Sequence, residues 1–394
     1  TMLAGAEIPE GAEIIDARGW AIGPGLVDLY ARTGEPGYER RETLDSLARA
    51  ALAGGFTQVA LLPSTDPVTD TPAQVARIRQ HHQVGLTPHC LPLAAVTRGR
   101  CGESMTDFAE LAEMGAIAFC DDSELLPLEL LRRVLDYLAP LQKPLFIWPC
   151  HAELAGRGVM QEGARSLQLG LRGVPAMAET AAVAAVLEML SPHSPPVHFM
   201  RLSQARSLEL VSQARQSHLS VSASTTWMHL LLCDRDIETY RYHPALHLHS
   251  PLGTNSDREA LIDAVRAGEI AIATDHSPYA FEEKNVPFAP APPGAIGLEL
   301  ALPLLWQHLV STEKLSALAL WTALSVHPAR ILGLEPPQLH AKSGANCILF
   351  DPDRTWVVDT NTLHSQSSAT PWLGKTLAGK VLGCWLDGGW VPTS

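Results

Sequence analysis

Two kinds of apolar pattern alternate along the chain. Short apolar runs rich in β-branched residues predict eight strands, over residues 25–30, 57–62, 90–96, 116–120, 144–149, 196–202, 219–224 and 270–274. Longer segments with apolar residues every three or four positions predict helices between them, over residues 42–53, 72–82, 107–114, 126–141, 176–190, 203–216 and 257–267. Eight strands that alternate with helices predict a parallel (β/α)8 barrel, the TIM-barrel fold of the α/β class.

The two ends of the chain carry a different pattern. Residues 1–20 and 341–394 contain short strand signals separated by Gly and Asp turns. We expect them to form one small β-domain from both termini, with the barrel over residues 21–340. The N-terminal share is short, as expected of a chain that starts late or is truncated.

Composition supports a large core and excludes some partners. The 394 residues are 46% hydrophobic and 18% charged, which is ordinary for a globular protein with a sizeable core. The formal net charge of −13 disfavours nucleic acid as a partner, because phosphate binding needs a basic face. No apolar run reaches the roughly 18 residues of a membrane span, and no signal segment begins the sequence. We therefore expect a cytoplasmic protein that binds neither nucleic acid nor membranes.

The seven cysteines are widely spaced and form no C-x-x-C pair. This pattern predicts neither a disulfide framework nor a zinc knuckle. Most of the cysteines lie in apolar, strand-like stretches, where a free thiol acts as a small hydrophobe. A reducing compartment is the simplest interpretation.

A series of motifs follows in order along nearly the whole chain. They are GPGLVDLYARTGEPGYERRETL (23–44), LLPSTDPVTDTP (61–72), GAIAFCDDS (115–123), LAGRGVMQEG (154–163), SPLGTNSDREAL (250–261), IATDHSPYAFEEK (272–284), APPGAIGLELALPL (291–304) and TLHSQSSATPWLGKTLAGKV (362–381). In these motifs the sequence resembles the dihydroorotase family of the amidohydrolase superfamily. The resemblance implies a TIM barrel whose family members open or close the dihydroorotate ring in pyrimidine biosynthesis, using one or two zinc ions.

The positions that bind metal in the family are mostly changed in this sequence. The family's first strand ends in D-x-H-x-H-x-R, and both histidines are replaced here. Histidines expected after the fifth and sixth strands are replaced as well, whereas carboxylates remain after the fourth and eighth strands. A guanidinium has no free lone pair for zinc. The former metal-ligand positions are Tyr30, Arg32, Asp121 (or its neighbour Asp122), Trp148, Arg201 and Asp275, the last of which is a remnant of the family's general base.

The positions that hold substrate in the family are changed too. Gly34 stands where an arginine grips the substrate carboxylate, and Ser64 replaces the asparagine of a P-N-T turn. His249 and Tyr279 replace two further polar contacts, and Gly253 replaces an arginine. Losing a charged hydrogen bond of this kind costs about 2–5 kcal/mol of binding. The resemblance therefore implies that both metal and substrate binding have decayed.

An emptied metal site would leave aspartates facing each other in a buried cleft, which is costly without a counter-charge. Arg32 and Arg201 follow strands that point to this cleft. We predict that they form ion pairs with Asp275 and with Asp121 or Asp122. The alternative is that both are surface arginines without a special role.

Two other uses of the cleft stay open. His247 and His249 form an H-x-H pair that could bind a relocated zinc together with Asp275, helped by His229, His276 or His151 on neighbouring loops. Tyr30, Trp148 and Tyr279 could instead stack on a planar ligand, although simple filling of the space is favoured.

The leading functional hypothesis is a catalytically inactive dihydroorotase-like protein that needs no cofactor. The resemblance implies a structural role beside aspartate carbamoyltransferase, in a homo-oligomer or hetero-oligomer. The alternative is an active zinc-dependent cyclic amide hydrolase with a rearranged site, either a dihydroorotase or an allantoinase- or hydantoinase-like enzyme.

Overall fold

Fourteen strands are present in the computed structural model, which describes residues 16–83, 86–339 and 346–393. They are β1 (Ala21–Pro24), β2 (Leu26–Ala31), β3 (Phe56–Leu61), β4 (His89–Ala94), β5 (Ala118–Phe119), β6 (Leu145–Ile147), β7 (Met160–Gln161), β8 (Gly173–Val174), β9 (Val197–Phe199), β10 (Val221–Thr226), β11 (Ala271–Ala273), β12 (Cys347–Val357), β13 (Thr376–Leu386) and β14 (Gly389–Pro392). Eight of them coincide with the eight predicted strands, within a few residues at each end.

These eight strands form one parallel sheet that nearly closes on itself. Its order is β11-β10-β9-β6-β5-β4-β3-β2. A parallel bridge joins Ala31 to His276, and the Arg32 backbone N–H donates to the His276 carbonyl at 2.8 Å, so that the two edge strands meet. The predicted (β/α)8 barrel is therefore confirmed.

Helices surround the barrel. They are α1 (Leu44–Ala53), α2 (Pro72–Gln80), α3 (Phe108–Met114), α4 (Leu128–Leu138), α5 (Ala152–Ala155), α6 (Ala164–Leu169), α7 (Met177–Met189), α8 (Ala205–Gln216), α9 (Trp227–Leu231), α10 (Asp236–Thr239), α11 (Asn255–Arg266), α12 (Phe281–Lys284), α13 (Ala301–Leu305), α14 (Ala317–Trp321) and α15 (His327–Ile331). All seven predicted helices are present, as α1 to α4, α7, α8 and α11. None of the helices in these described ranges has the length and apolar character needed to cross a bilayer.

Local sequence signals explain where several helices begin. In α1, Thr43 Oγ1 accepts the Ser46 N–H at 3.1 Å while Ser46 Oγ accepts the Thr43 N–H at 2.9 Å, which is a reciprocal capping box. Thr254 and Asp257 form the same arrangement at the start of α11. The helix α4 buries one apolar stripe against the barrel, formed by Leu130, Leu131, Val134, Leu135 and Leu138.

The barrel interior is a packed apolar core that also holds a hydrogen-bonded histidine. Val27, Leu29, Leu93 and Phe146 are among the buried side chains that fill it. His198 lies beside Phe146, with each ring nitrogen 2.9 Å from a serine hydroxyl of β10. Burial lowers the pKa of His198 to about 3, so this histidine is neutral at ordinary pH.

A second sheet joins the two ends of the described chain. It is antiparallel, with the order β1-β12-β13-β14, and β1 pairs with β12 from Ala21↔Phe350 to Pro24↔Cys347. The predicted sheet from both termini is thus present. Its N-terminal strand starts at residue 21, inside the range that the sequence assigned to the barrel, and residues 1–15 lie outside the described part of the chain.

Candidate functional site

Four charged side chains meet at the carboxyl-terminal rim of the barrel. Arg32 directly follows β2, Asp122 follows β5, Arg201 follows β9 and Asp275 follows β11. The carboxyl ends of parallel strands share one rim, so residues just past them converge whatever their distance in sequence. We call these four residues the rim cluster.

Arg201 is the centre of the rim cluster. Its side chain is fully buried, at 0% exposure. Nε and Nη2 donate to Asp275 Oδ1 at 2.9 and 2.7 Å, and Nη2 also donates to Asp122 Oδ1 at 2.9 Å. One guanidinium therefore bridges both carboxylates.

Arg32 completes the charge balance. Its Nε and Nη2 donate to Asp122 Oδ2 at 2.9 and 2.7 Å, and its Nη1 donates to Ser277 Oγ at 2.8 Å. Arg100 lies at the edge of the cluster, where its Nη2 donates to the Asp122 carbonyl at 2.8 Å. The predicted ion pairs of Arg32 and Arg201 are confirmed, with Asp122 as the shared partner.

The electrostatic balance keeps the rim cluster charged. Burial by itself would raise the pKa of Asp122, but Arg32 and Arg201 outweigh it and hold the pKa well below its usual range. Burial would lower the pKa of Arg201, and Asp275 and Asp122 reverse that effect and raise it. Each charge thus has its counter-charge within hydrogen-bond distance.

Three residues of the rim cluster have a left-handed backbone. The φ angles of Asp122, Arg201 and Asp275 are +47°, +55° and +47°. This conformation is uncommon for residues other than glycine and costs on the order of 1 kcal/mol or more each. The side chains of all three residues take part in ion pairs, and these pairs offset the cost of the left-handed backbone.

Asp121 does not belong to the rim cluster, although from the sequence either Asp121 or Asp122 could face the pocket. Its carboxylate accepts the backbone N–H groups of Val96 and Thr97 at 2.7 and 2.9 Å, and the Thr97 hydroxyl at 2.5 Å. Because of the turn after β5, the side chains of the two neighbouring aspartates point in different directions. Asp121 ties the loop after β4 to β5, and Asp122 faces the rim.

Aromatic side chains fill most of the remaining space. The Arg201 Cζ lies 5.1 Å from the Tyr30 ring centroid and 5.9 Å from that of Trp148. The Tyr30 hydroxyl accepts the Arg201 N–H at 3.1 Å, and Trp148 Nε1 donates to Ser250 Oγ at 3.0 Å. Two cavities of about 20 Å³ adjoin Trp148, each with room for about one water molecule. A planar ligand has no space to stack on Tyr30 and Trp148, so these two residues fill the space beside Arg201. Tyr279, the third aromatic candidate, lines a cavity of about 370 Å³ together with His243 and Lys284.

At the positions where the resemblance places substrate contacts, Gly34 has no room for a side chain. A Cβ on Gly34 would lie 2.1 Å from the Tyr38 carbonyl oxygen and 2.5 Å from that of Glu42, so no side chain fits. The Tyr279 hydroxyl donates to the Pro293 carbonyl at 3.0 Å. Ser64 Oγ is buried without a hydrogen-bond partner among the described residues.

The described geometry does not bring together the ligand atoms of the alternative metal site on His247, His249 and Asp275. His247 Nδ1 donates to the Ala291 carbonyl at 2.6 Å, and the His249 ring packs edge-on against Trp148 at 5.1 Å. Within the ranges that the structure describes, these three side chains do not bring their ligand atoms together. H-x-H side chains share a face only on a regular strand, and residues 247–249 follow a short 3₁₀ turn instead.

Two of the other candidate histidines already use both ring nitrogens. His229 bonds Thr226 Oγ1 at 2.7 Å and the Ser250 carbonyl at 3.0 Å. His276 Nδ1 accepts the Gly297 N–H at 3.2 Å, and its Nε2 lies 3.4 Å from Glu42. Both histidines therefore tie loops together and have no nitrogen left for a metal.

Zinc, which the resemblance implies at this rim, does not fit the residues present. Zinc sites need neutral nitrogen, thiolate or carboxylate ligands around the ion. The positions at which the resemblance implies histidine ligands hold Tyr30, Arg32, Trp148 and Arg201 instead. The Arg201 guanidinium also lies between the carboxylates of Asp122 and Asp275.

Two members of the site were missed from the sequence. Ser277 accepts from Arg32 and donates to the Asp275 carbonyl at 3.0 Å, so it supports both charges. Arg100 follows the end of β4 by six positions. The rule that residues after barrel strands meet at the rim could have identified both.

Comparison with solved structures gives the class of fold. Solved structures with the same architecture include an L-hydantoinase from Arthrobacter aurescens, with a TM-score of 0.82 at 20% identity over 96% of this chain and 86% of that one. A dihydropyrimidinase from Brevibacillus agri gives a TM-score of 0.77 at 18% identity over 98% of this chain and 87% of that one. This protein has the amidohydrolase-type (β/α)8 barrel.

Sequence comparison gives the family. A family model described as Dihydro-orotase-like matches residues 19–198. A probable dihydroorotase-like protein of Synechocystis is 42% identical, over 95% of this chain and 90% of its own length. A dihydroorotase of Pelobacter propionicus is 36% identical, over 96% of this chain and 89% of its own length. The chain belongs to the dihydroorotase-like family.

Proposed function

We propose that this protein is a non-catalytic member of its family, in which the rim cluster takes the place of a metal centre. The observation that carries this proposal is the fully buried Arg201 guanidinium, held by Asp122 and Asp275 at 2.7–2.9 Å. Its positive charge neutralises the carboxylates that a metal ion would otherwise neutralise. No activated water can form on a guanidinium, because it has no site for a water ligand.

The energetic cost of restoring a metal supports this proposal. An incoming ion would have to expel Arg201 from its two partners, and breaking a buried ion pair costs about 3–5 kcal/mol. The expelled side chain would meet the closely packed Tyr30 and Trp148 rather than water. In addition, Gly34 offers no group for a substrate carboxylate and no room for one.

Turnover of dihydroorotate and of carbamoyl aspartate tests the proposal. The purified full-length protein is assayed with added Zn²⁺, Co²⁺ or Mn²⁺, and the variant Asp275→Asn is assayed beside it. We expect no turnover above the uncatalysed rate in either protein. Turnover that is present in the wild type and lost in D275N would refute the proposal and establish the alternative, an active cyclic amide hydrolase. Turnover that is equal in both would come from a contaminant, and the proposal would stand.

We further propose a structural role in pyrimidine biosynthesis, as a partner of aspartate carbamoyltransferase in the cytoplasm. Support comes from the complete barrel around a filled site, which is expected of a protein that acts by binding a partner rather than by catalysis. Size-exclusion chromatography of the two proteins, together and apart, tests this role. We expect co-elution at micromolar concentration, with an unrelated protein of similar size eluting separately. Separate elution of the two candidates would count against this partner and would leave the proposed loss of catalysis untouched.

A further inference from the structure

Two histidines and an aspartate meet at the opposite end of the barrel from the rim cluster. His82 lies two residues past the end of α2, and His89 is the first residue of β4. Asp387 lies in the turn between β13 and β14 of the terminal sheet. His89 begins a barrel strand while the rim cluster follows strand ends, so the two sites are independent.

The geometry of this group differs from that of an ordinary histidine–carboxylate hydrogen bond. Nε2 of His82 and Nε2 of His89 lie 3.6 and 3.3 Å from the same oxygen, Asp387 Oδ2. The two imidazole rings stack with centroids 4.0 Å apart and planes inclined by 26°. The neighbouring His81, by contrast, makes a close contact of 2.8 Å with Asp45.

These distances match the spacing of metal ligands. Zinc binds imidazole nitrogen and carboxylate oxygen at about 2.0–2.2 Å, which places ligand atoms at tetrahedral corners about 3.3–3.6 Å apart. The ligand atoms of His82, His89 and Asp387 all lie within 4.8 Å of one another. Among the residues that the structure describes, no other group of histidine, cysteine and acidic side chains reaches this spacing.

We propose that His82, His89 and Asp387 bind one divalent transition-metal ion of the zinc class. Two imidazoles and a carboxylate suit Zn²⁺, Co²⁺, Ni²⁺ and Cu²⁺ better than the hard ions Mg²⁺ and Ca²⁺. The three side chains are 21%, 35% and 32% exposed, so water can complete the coordination. The ion links the α2–β4 part of the barrel to the β13–β14 turn, and its role is to hold the terminal sheet on the barrel.

Metal titration of site variants tests the proposal. The full-length protein is freed of metal with a chelator and titrated with ZnCl₂ by calorimetry, and its Tm is recorded with and without the ion. The variants are His82→Gln, His89→Gln and Asp387→Asn. Asparagine suits position 387 because it tolerates the left-handed φ of +48° found there. The matched control is His81→Gln, which removes the adjacent histidine and leaves the proposed ligands in place.

We expect one equivalent of Zn²⁺ to bind the wild type and H81Q, with a rise in Tm because the ion binds the folded state. Each of the three ligand variants should bind at least tenfold more weakly and lose the rise in Tm, with an unchanged circular dichroism spectrum. Binding that is equal in the wild type and the ligand variants would place the ion elsewhere and overturn the proposal. So would a wild type without binding, or an equal loss in H81Q. None of these outcomes depends on dihydroorotate turnover.

Discussion

Replacing Arg201 with alanine is the sharpest test of the rim cluster as a substitute for a metal. The variant Arg201→Ala removes the charge that bridges Asp122 and Asp275 and leaves the two carboxylates facing each other in a buried cleft. Arg32 still contacts Asp122, but Asp275 loses the donors of Nε and Nη2. One buried negative charge is then without a counter-charge.

The magnitude follows from that unpaired charge. Removing one partner of a buried ion pair costs about 3–5 kcal/mol. Emptying the space of a large side chain that packs against Tyr30 and Trp148 adds to this loss. With roughly 2 °C per kcal/mol for a chain of this size, Tm should fall by about 6–10 °C.

The pH dependence gives a signature that loss of packing alone would not produce. In the wild type, the depressed pKa of Asp122 means that its contribution to stability is present above the unfolded value and is lost only in strong acid. In folded R201A, one of the two carboxyls lacks a counter-charge, so its pKa lies above that of the unfolded chain. The stability of R201A relative to the wild type should therefore rise as the pH falls from 7.5 to 5.5.

Urea and thermal denaturation of four proteins measures both effects: the wild type, R201A, D275N and the double variant. Removing the second charge should restore part of the loss, so R201A with D275N should be more stable than R201A alone at pH 7.5. A free energy of unfolding of R201A within 1 kcal/mol of the wild type would show that Arg201 is not a needed counter-charge. A stability difference that does not change with pH, together with no rescue by D275N, would show the same.

Three further predictions concern single positions. Gly34→Ala should destabilise the protein by at least about 2 kcal/mol in urea unfolding, because its Cβ would lie 2.1 Å from a carbonyl oxygen, and a cost below 0.5 kcal/mol would show that the loop adapts. Burial raises the pKa of Glu179 to about 7, so the side chain is a carboxylate at pH 8.5, where it accepts the backbone N–H groups of Ser203 and Gln204 at 3.0–3.2 Å. Glu179→Gln should therefore cost about 1–3 kcal/mol in urea unfolding at pH 8.5, because an amide would present a donor to one of these groups, and Glu188→Gln is the control. Burial lowers the pKa of His198 to about 3, so its contribution to stability is present above pH 6.5 and is lost as the pH falls below that value, by about 1.4 kcal/mol per pH unit. His198→Phe should reduce this decrease of the free energy of unfolding between pH 6.5 and pH 4. An unchanged decrease would contradict a buried neutral histidine.

The sequence predicted the site residues because it predicted where the barrel strands end. Each barrel strand appears in the sequence as a short apolar run, and a parallel barrel brings the residues after such runs to one rim. That rule, with the absence of imidazole at Tyr30, Arg32, Trp148 and Arg201, was enough to predict that guanidinium charge meets carboxylate charge there. The confirmed pairs of Arg201 with Asp122 and Asp275 follow from it.

Side-chain direction in turns was not predictable in this way. Asp121 and Asp122 are adjacent and chemically identical, and only the folded turn, with φ of +47° at Asp122, decides which carboxylate faces the rim. For the same reason the sequence did not show how His247 and His249 are oriented: their H-x-H pair lies in a loop rather than on a strand, and it does not group its ligand atoms with Asp275. Local pattern carries no information on loop direction, which long-range packing sets.

What the sequence by itself determined is the order of strands and helices, the barrel that this order implies, and the residue types that follow the strands at the rim. Apolar periodicity and residue chemistry are local properties, so the amino-acid sequence alone is enough to determine them. The tertiary structure alone decided that the pocket is filled, that Gly34 has no room for a side chain, and that His82 and His89 meet Asp387. These facts depend on contacts between segments far apart in the chain, which form only when the barrel closes and the terminal sheet packs against it.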